Sequence, residues 1–259
     1  MLLALVALAS SGASWWAPAD YAAQFRETPN SPPSHQHLLG TDELGRDRFS
    51  RVLYGTRVSL LMAPAAALLS TLLALLVGTI AGYLGGSWER AAMAATDLFL
   101  SMPWLFLLLA VRAMLPLNVS PMTSVAVTFL LLGLLGWAGS ARVLCAGTRG
   151  LRTSDFVLQA RASGLRGLRL LAIYVMPNLK PVLLAQFWIS IPVFIISEAN
   201  LGILGLGVAE PLPSWGSLLR EMESFTSFGF EAWKLVPLVL LVLVVSSFQI
   251  ILSRDEVYA

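Results

Sequence analysis

The stretch VSLLMAPAAALLSTLLALLVGTIAGYLGGSW, Val58 to Trp88, runs for 31 residues without an Asp, Glu, Lys or Arg. A bilayer core of about 30 Å takes about 20 apolar residues of α-helix. This stretch alone is therefore long enough to cross a membrane. Moving outward, Leu98 to Leu115 carries only Arg112, and Met122 to Ala141 carries no charge. Pro116 and Asn118 mark a tight turn between those two runs, which read as a helical hairpin. Pro181 to Gly207 carries only Glu198, and Leu235 to Ser253 carries none, with Trp233 and Lys234 as interfacial anchors at its start.

Composition agrees with those gaps. The chain is 57% hydrophobic and 12% charged, with a mean hydropathy of +0.75, whereas soluble domains average about 25% charged residues. A cytosolic enzyme is excluded on that balance. The net charge of +2 supplies no basic field for nucleic acid. Cys145 is the single cysteine, so there is no intrachain disulfide and no thiolate metal cluster. The class expected is an all-α membrane protein.

The first residues, Met1 to Ala19, are uncharged, but their solidly apolar part stops near Ala9. A signal peptide competes with a membrane helix here. No Lys or Arg precedes the apolar core as a signal requires, so a short first membrane helix is preferred. The expectation is six transmembrane helices at about 1–17, 58–86, 98–115, 122–145, 181–206 and 234–253. An extracytoplasmic segment 18–57 and a short cytoplasmic tail 254–259 complete the organisation, with the permease-like body spanning 58–253.

Orientation follows from the loops. Arg142 to Lys180 holds seven basic residues against Asp155 alone, a net +6, and Gly207 to Lys234 has a net −2. Lys and Arg in short loops stay on the cytoplasmic side. That places 142–180 inside, both termini cytoplasmic and 18–57 outside, where five Arg balance five acids.

Catalytic groups are few. His35 and His37 sit in a Pro/Ser-rich loop and read as a surface pair rather than as metal ligands, and nothing resembles H-E-x-x-H. No P-loop is present, so the energy for any active process comes from a partner. No catalytic residue, no metal and no cofactor is assigned to this chain.

The cytoplasmic loop is structured. Thr153 or Ser154 can cap a helix, Asp155 suits its first turn and Gly164 its end. A helix is expected over 155–163, with Phe156, Ala160 and Ser163 on one face and Val157 beside them, and Arg161 pointing elsewhere. A second helix is expected over about 165–176, stopping before Pro177. Such short amphipathic helices either lie on the membrane or plug into a partner's groove. Gly78, Gly82 and Gly86 at spacing four suit close helix packing, more within the chain than between subunits; Gly133, Gly136 and Gly139 do the same at spacing three. Glu198, with Asn200 two residues on, is an ionisable group inside a span and so a functional candidate. The alternative is that it hydrogen-bonds a helix broken by Gly202, Gly205 and Gly207.

The segment His37-Leu-Leu-Gly-Thr-Asp-Glu-Leu-Gly-Arg-Asp47, continued by Ser50-Arg51-Val-Leu-Tyr-Gly55-Thr-Arg57-Val-Ser-Leu60, resembles a dense signature of one permease class. That class is the C-type subunit of dipeptide, oligopeptide and nickel ABC importers. Gly40, Thr41, Asp42, Gly45, Arg46 and Asp47 are its extracytoplasmic motif. Phe156-Val-Leu-Gln-Ala-Arg-Ala-Ser-Gly164, then Met176-Pro177-Asn178, resembles the coupling loop of bacterial ABC permeases. Glu198-Ala-Asn-Leu-Gly-Ile-Leu-Gly-Leu-Gly207 and Pro213-Ser-Trp-Gly216 resemble two further stretches of that subunit.

The resemblance implies a type I ABC importer permease, half of a translocation path worked by alternating access. Its implied partners are a homologous B-type permease, two cytoplasmic ATPases that bind ATP and Mg²⁺, an extracytoplasmic substrate-binding protein and membrane lipid, in a bacterial or archaeal inner membrane. Di- and oligopeptides are the implied cargo. Asp155, Phe156, Val157, Leu158, Gln159, Ala160, Arg161 and Gly164 are the implied ATPase-coupling residues, with Glu198 and Asn200 as gate or translocation candidates. Three departures stand out: Leu158 and Gln159 occupy the positions of the family's coupling Glu and its following Ala, the first span is short, and the charged tail is reduced to Ser253-Arg254-Asp255-Glu256. They motivate a second reading, a divergent, non-transporting membrane interaction subunit. A membrane enzyme is a distant third.

Overall fold

The computed structural model describes residues 2–116, 119–224 and 232–257. Among them the regular structure is helical, with two isolated β-bridges, Gln24 to Arg46 and Thr41 to Asp47, and no strand.

The N-terminal run forms α1, Leu2–Ser11, and then a single turn, α2, Ala13–Trp16. The expected helix 1–17 is thus divided at Gly12. An extended segment follows, after which α3 occupies Arg48–Leu84. It starts ten residues before the charge-free run, so part of the segment expected as extracytoplasmic is helical. At about 1.5 Å per residue its 37 residues reach about 55 Å, well beyond a bilayer core. Leu68, Leu72, Leu76, Ile80 and Leu84 recur every fourth residue along it and stay exposed, an apolar stripe suited to lipid.

The span expected over 98–115 is instead two helices, α4 (Gly86–Ser101) and α5 (Trp104–Ala113), bent by 81°. Pro103 is the cause. It has no N–H and disfavours helical backbone in the residue before it, and Met102 is extended at φ −78°, ψ 131°. The next expected span is α6 (Pro121–Leu135) followed by α7 (Ala138–Arg152), which runs seven residues beyond the expected end. The expected turn residue Asn118 lies outside the described residues.

The helix expected over 155–163 is α8, Asp155–Ala162. The expected stop before Pro177 is not made. A short α9, Gly167–Leu170, runs through a π-turn, Leu171–Val175, into α10, Met176–Ile203. In the π-turn the Met176 N–H reaches back five residues to the Leu171 carbonyl. The hydrogen-bond ladder is therefore already shifted where Pro177 arrives, and the missing donor falls in the first turn of α10, where proline is tolerated. The short α11, Trp215–Arg220, precedes α12, Val236–Val257, which takes in most of the expected tail. Residues 258–259 lie outside the described residues.

Among the described residues four helical stretches are long and apolar enough to cross a membrane: Arg48–Leu84, Pro121–Arg152, Gly167–Ile203 and Ala232–Ser253. The bent pair α4 and α5 makes a fifth if it counts as one span.

The chain forms two compact units. One comprises Met1–Pro64, Leu109–Phe129 and Pro192–Ala259; the other comprises Ala65–Leu108 and Leu130–Ile191. In the second unit α3 and α7 pack backbone to backbone. A Cβ on Gly78 would strike the Ala141 carbonyl, and one on Gly82 would meet Cys145 O and Thr148. Two of the three spaced glycines thus serve packing within the chain; Gly86 instead opens α4, with nothing near its Cβ position.

Candidate functional site

The motif Gly40 to Asp47 of the first unit is built around two aspartates. The Asp42 Oδ1 atom accepts from the backbone N–H groups of Leu44 and Arg46, at 2.9 and 2.8 Å, and its Oδ2 accepts from Arg46 Nε at 2.6 Å. Such a turn needs a left-handed residue. Gly45 supplies it at φ +73°, where a Cβ would collide with the Phe25 carbonyl. Thr41 donates to Thr28 O and accepts from the Ser31 N–H, and Gly40 turns the chain at φ +69°. Asp47 caps α3: its Oδ2 accepts from Ser50 N and Ser50 Oγ, both at 2.8 Å. Its Oδ1 lies 2.9 Å from His37 Nδ1. His37, expected as a surface residue, is buried with its ring edge on Phe25.

This motif is tied to a segment 160 residues away. Arg46 pairs with Asp42 and with Glu210. Arg51, fully buried, donates to Glu210 Oε1 at 3.0 Å, to Glu221 Oε1 at 2.5 Å and to the Pro211 carbonyl at 3.2 Å. Burial, the largest influence, pulls the Arg46 pKa down, but Glu210 and Asp42 outweigh it and the value ends above the ordinary one. Glu221 moves up from the ordinary carboxylate range, first through burial and then through Asp42 and Glu210, against the pull of Arg51. Sequence reasoning missed Glu210 and Glu221 as specific partners; their only signal was the acidic excess between Gly207 and Lys234.

Deeper in the same unit, Glu198 is fully buried. Its Oε2 accepts from Ser59 Oγ and from the Gly216 N–H, both at 3.4 Å, while Oε1 has no hydrogen-bond partner among the described residues. Ser59 also accepts from the Trp215 N–H at 3.3 Å, and Trp215 Nε1 donates to Thr56 Oγ1 at 3.0 Å. Ser214 and Ser217 close a reciprocal cap on α11. Gly202 and Gly216 touch backbone to backbone, which no side chain would permit. Glu198 therefore joins α3, α10 and α11. Asn200 is half-buried two residues on and stands apart from these bonds.

In the second unit the residues of α8 divide. Val157 (0% exposed) and Ala160 (5%) pack with Leu170, Val175 and Leu179 in a buried cluster. Phe156 (40%) and Leu158 (47%) face outward, as do Asp155 and Gln159. Arg161 lies over the Tyr83 ring, 5.8 Å from its centroid. Ser154 holds the cap position, yet its hydroxyl donates to Leu151 O at 2.6 Å instead of capping. Gly164, at φ +90°, closes the helix: the Leu165 N–H reaches Ala160 O and the Gly164 N–H reaches Arg161 O. The apolar face expected to combine Phe156 with Ala160 is split, because Ala160 turns inward with Val157. Leu168, 83% exposed in the same unit, was not singled out from sequence.

The profile of the family described as "Binding-protein-dependent transport system inner membrane component" matches residues 74–255. The chain is 30% identical to the oligopeptide transport system permease protein OppC of Bacillus subtilis, over 91% of this chain and 74% of that protein. It is 32% identical to the di/tripeptide transport system permease protein DppC of Pseudomonas aeruginosa, over 98% and 83%. It is also 32% identical to the nickel transport system permease protein NikC of Escherichia coli K12, over 87% and 79%.

Proposed function

The chain belongs to the family of binding-protein-dependent transport system inner membrane components and is a transmembrane permease of such an importer, and from that premise we propose that it is the C-type half of a translocation path for di- and oligopeptides. The proposed assembly adds a homologous B-type permease, two cytoplasmic ABC ATPases that bind ATP and Mg²⁺, and an extracytoplasmic binding protein. It has six spans, α1–α2 being the first and α4–α5 the third, with both termini in the cytoplasm of a bacterial or archaeal cell.

The observation that carries the coupling part of this reading is the split of α8. Val157 and Ala160 fix the helix into its unit, and Phe156 and Leu158 are left outward. A helix so anchored transmits a displacement as a rigid body. Closure of the ATPase pair would pull on it and open the path outward; hydrolysis would reverse the motion. Coupling requires that the helix bind the two ATPase states with different affinity, since equal affinity shifts nothing. Glu198, at the junction of three helices, is proposed to hold the outer gate, and the motif from Gly40 to Asp47 to present the face met by the binding protein.

Phe156→Asp tests the coupling. The variant should reach the membrane and lose the ATPase subunits on co-purification in mild detergent; normal retention and normal uptake would sink the docking role. The second reading, a non-transporting interaction subunit, is favoured by Leu158 at the position of the family's coupling Glu. It predicts that no ATPase is retained even by the parent chain.

A further inference from the structure

Arg112 is the one charged residue in the run Leu98 to Leu115. It is 1% exposed near the end of α5. Among the described residues no carboxylate pairs with it. Its Nη1 reaches the Pro116 carbonyl at 3.5 Å and its Nη2 reaches Ser124 Oγ at 3.4 Å, both long, while Nε has no hydrogen-bond partner. Ser124 in turn accepts from the Ala209 N–H at 3.0 Å and donates to Gly207 O at 3.3 Å. The guanidinium is thus held against the loop that follows α10.

The same guanidinium lines a half-open cavity of about 350 Å³ in the first unit. Gly202, Gly205, Gly207, Val208, Ala209 and Ser217 line its wall, the exposed Glu43, Glu210 and Arg220 stand around it, and the half-buried Glu221 completes the lining. Arg112 lines the cavity while almost wholly buried, so it forms the floor and the exposed charges form the rim. A buried arginine at the end of a membrane helix is costly unless backbone carbonyls or an anion meet it, and such residues mark candidate solute pathways; here the carbonyl contact is long and Nε has no partner among the described residues. Arginine in particular matches the planar carboxylate with two parallel N–H donors. The volume lies at the small end of ligand pockets, fitting a short solute rather than an extended oligopeptide.

We propose that this cavity is a solute subsite of the permease, in which Arg112 receives the terminal carboxylate of a small zwitterionic peptide, with the rim carboxylate of Glu43 on the side of its amine. This rests on the peptide-importer reading and narrows it to di- and tripeptides at this subsite.

The experiment uses the complete importer in proteoliposomes, with binding protein saturated by dialanine or by its C-terminal amide. Parent complex should take up dialanine at least tenfold faster than the amide. In Arg112→Gln the dialanine rate should fall about tenfold and the acid-to-amide ratio should collapse towards one, with binding-protein-stimulated ATP hydrolysis retained. Arg112→Lys, which keeps the charge without the fork, should retain part of the preference and serves if the Gln variant fails to assemble. An unchanged acid-to-amide ratio in a variant that assembles would place selection in the binding protein and overturn the subsite, leaving the importer reading intact. Failure of the parent complex to take up any dipeptide while it imports another cargo would overturn both the subsite and the peptide reading.

Discussion

The backbone N–H of Gly216 meets Oε2 of Glu198 at 3.4 Å, and the other oxygen of that carboxylate has no hydrogen-bond partner among the described residues. A carboxylate used on one side only, with no cation beside it, is an expensive way to hold a helix end. Glu198→Gln keeps the shape and the acceptor and removes the charge. The variant should be no less stable than the parent, and more stable by about 1 kcal/mol if the charged form was being desolvated without return. Thermal unfolding in detergent measures that difference. If uptake and binding-protein-stimulated ATP hydrolysis are also unchanged, Glu198 is a structural residue and not a gate.

Arg51 sits at the centre of the ion cluster, with Glu210 and Glu221 both on its Nη2. Arg51→Met removes the fully buried cation from these acids and leaves Arg46 beside them. A loss of about 1–3 kcal/mol is expected, since the hydrogen bonds of Arg51 are lost while Arg46 still pairs with both acids. A variant that unfolds at the parent's temperature would show that the cluster is loosely solvated.

The raised pKa of Glu221 gives a pH dependence of definite sign. On acidification the native carboxyl takes up its proton before the unfolded one, whose value is about 4.3. Between those two values the native state binds more protons, so stability attributable to Glu221 increases as pH falls. It is fully present below the unfolded value and is lost as pH rises through the native one. Relative to Glu221→Gln, the parent should therefore gain stability between neutral pH and about 4.3. A relative loss over that range would mean that Arg51 dominates burial.

Two glycines should respond in opposite ways. Gly78→Val drives a side chain into the Ala141 carbonyl and the Leu144 side chain, and should cost about 1–3 kcal/mol or more by overpacking. At Gly139, in α7, nothing lies within 4 Å of a new Cβ. Gly139→Ala should be neutral or stabilising by up to about 1 kcal/mol through helix propensity. Thermal shifts of the two variants compare directly.

Much of the architecture was legible as gaps between charges. The run from Val58 to Trp88 marked a crossing because charge is intolerable in lipid, a rule that needs no partner. The break at Pro103 was missed because Phe106, Leu107 and their neighbours are apolar on both sides of it, and hydropathy is blind to direction. The split face of α8 was missed for a related reason: with Phe156, Val157 and Ala160 all apolar, spacing alone cannot say which two of three meet the core. The motif from Gly40 to Asp47 was readable as a local turn, since Asp42 and Gly45 act within four residues. Its attachment to Glu210 and Glu221 was not, because ion pairs across 160 residues leave no periodic trace.

The π-turn at Leu171–Val175 bears on how the long helix around it is read. It uses one residue more than an α-helix would over the same arc, and one residue is about 100° of rotation. A helical wheel drawn continuously from Gly167 to Ile203 is therefore out of phase with itself by more than a quarter of a circle, and the stripes of its two ends no longer line up. Leu170 and Leu179, both buried, share a face in space that no single wheel assigns them. The helix keeps two clocks, set on either side of Val175, and any alignment that deletes one residue there would reset the second to the first.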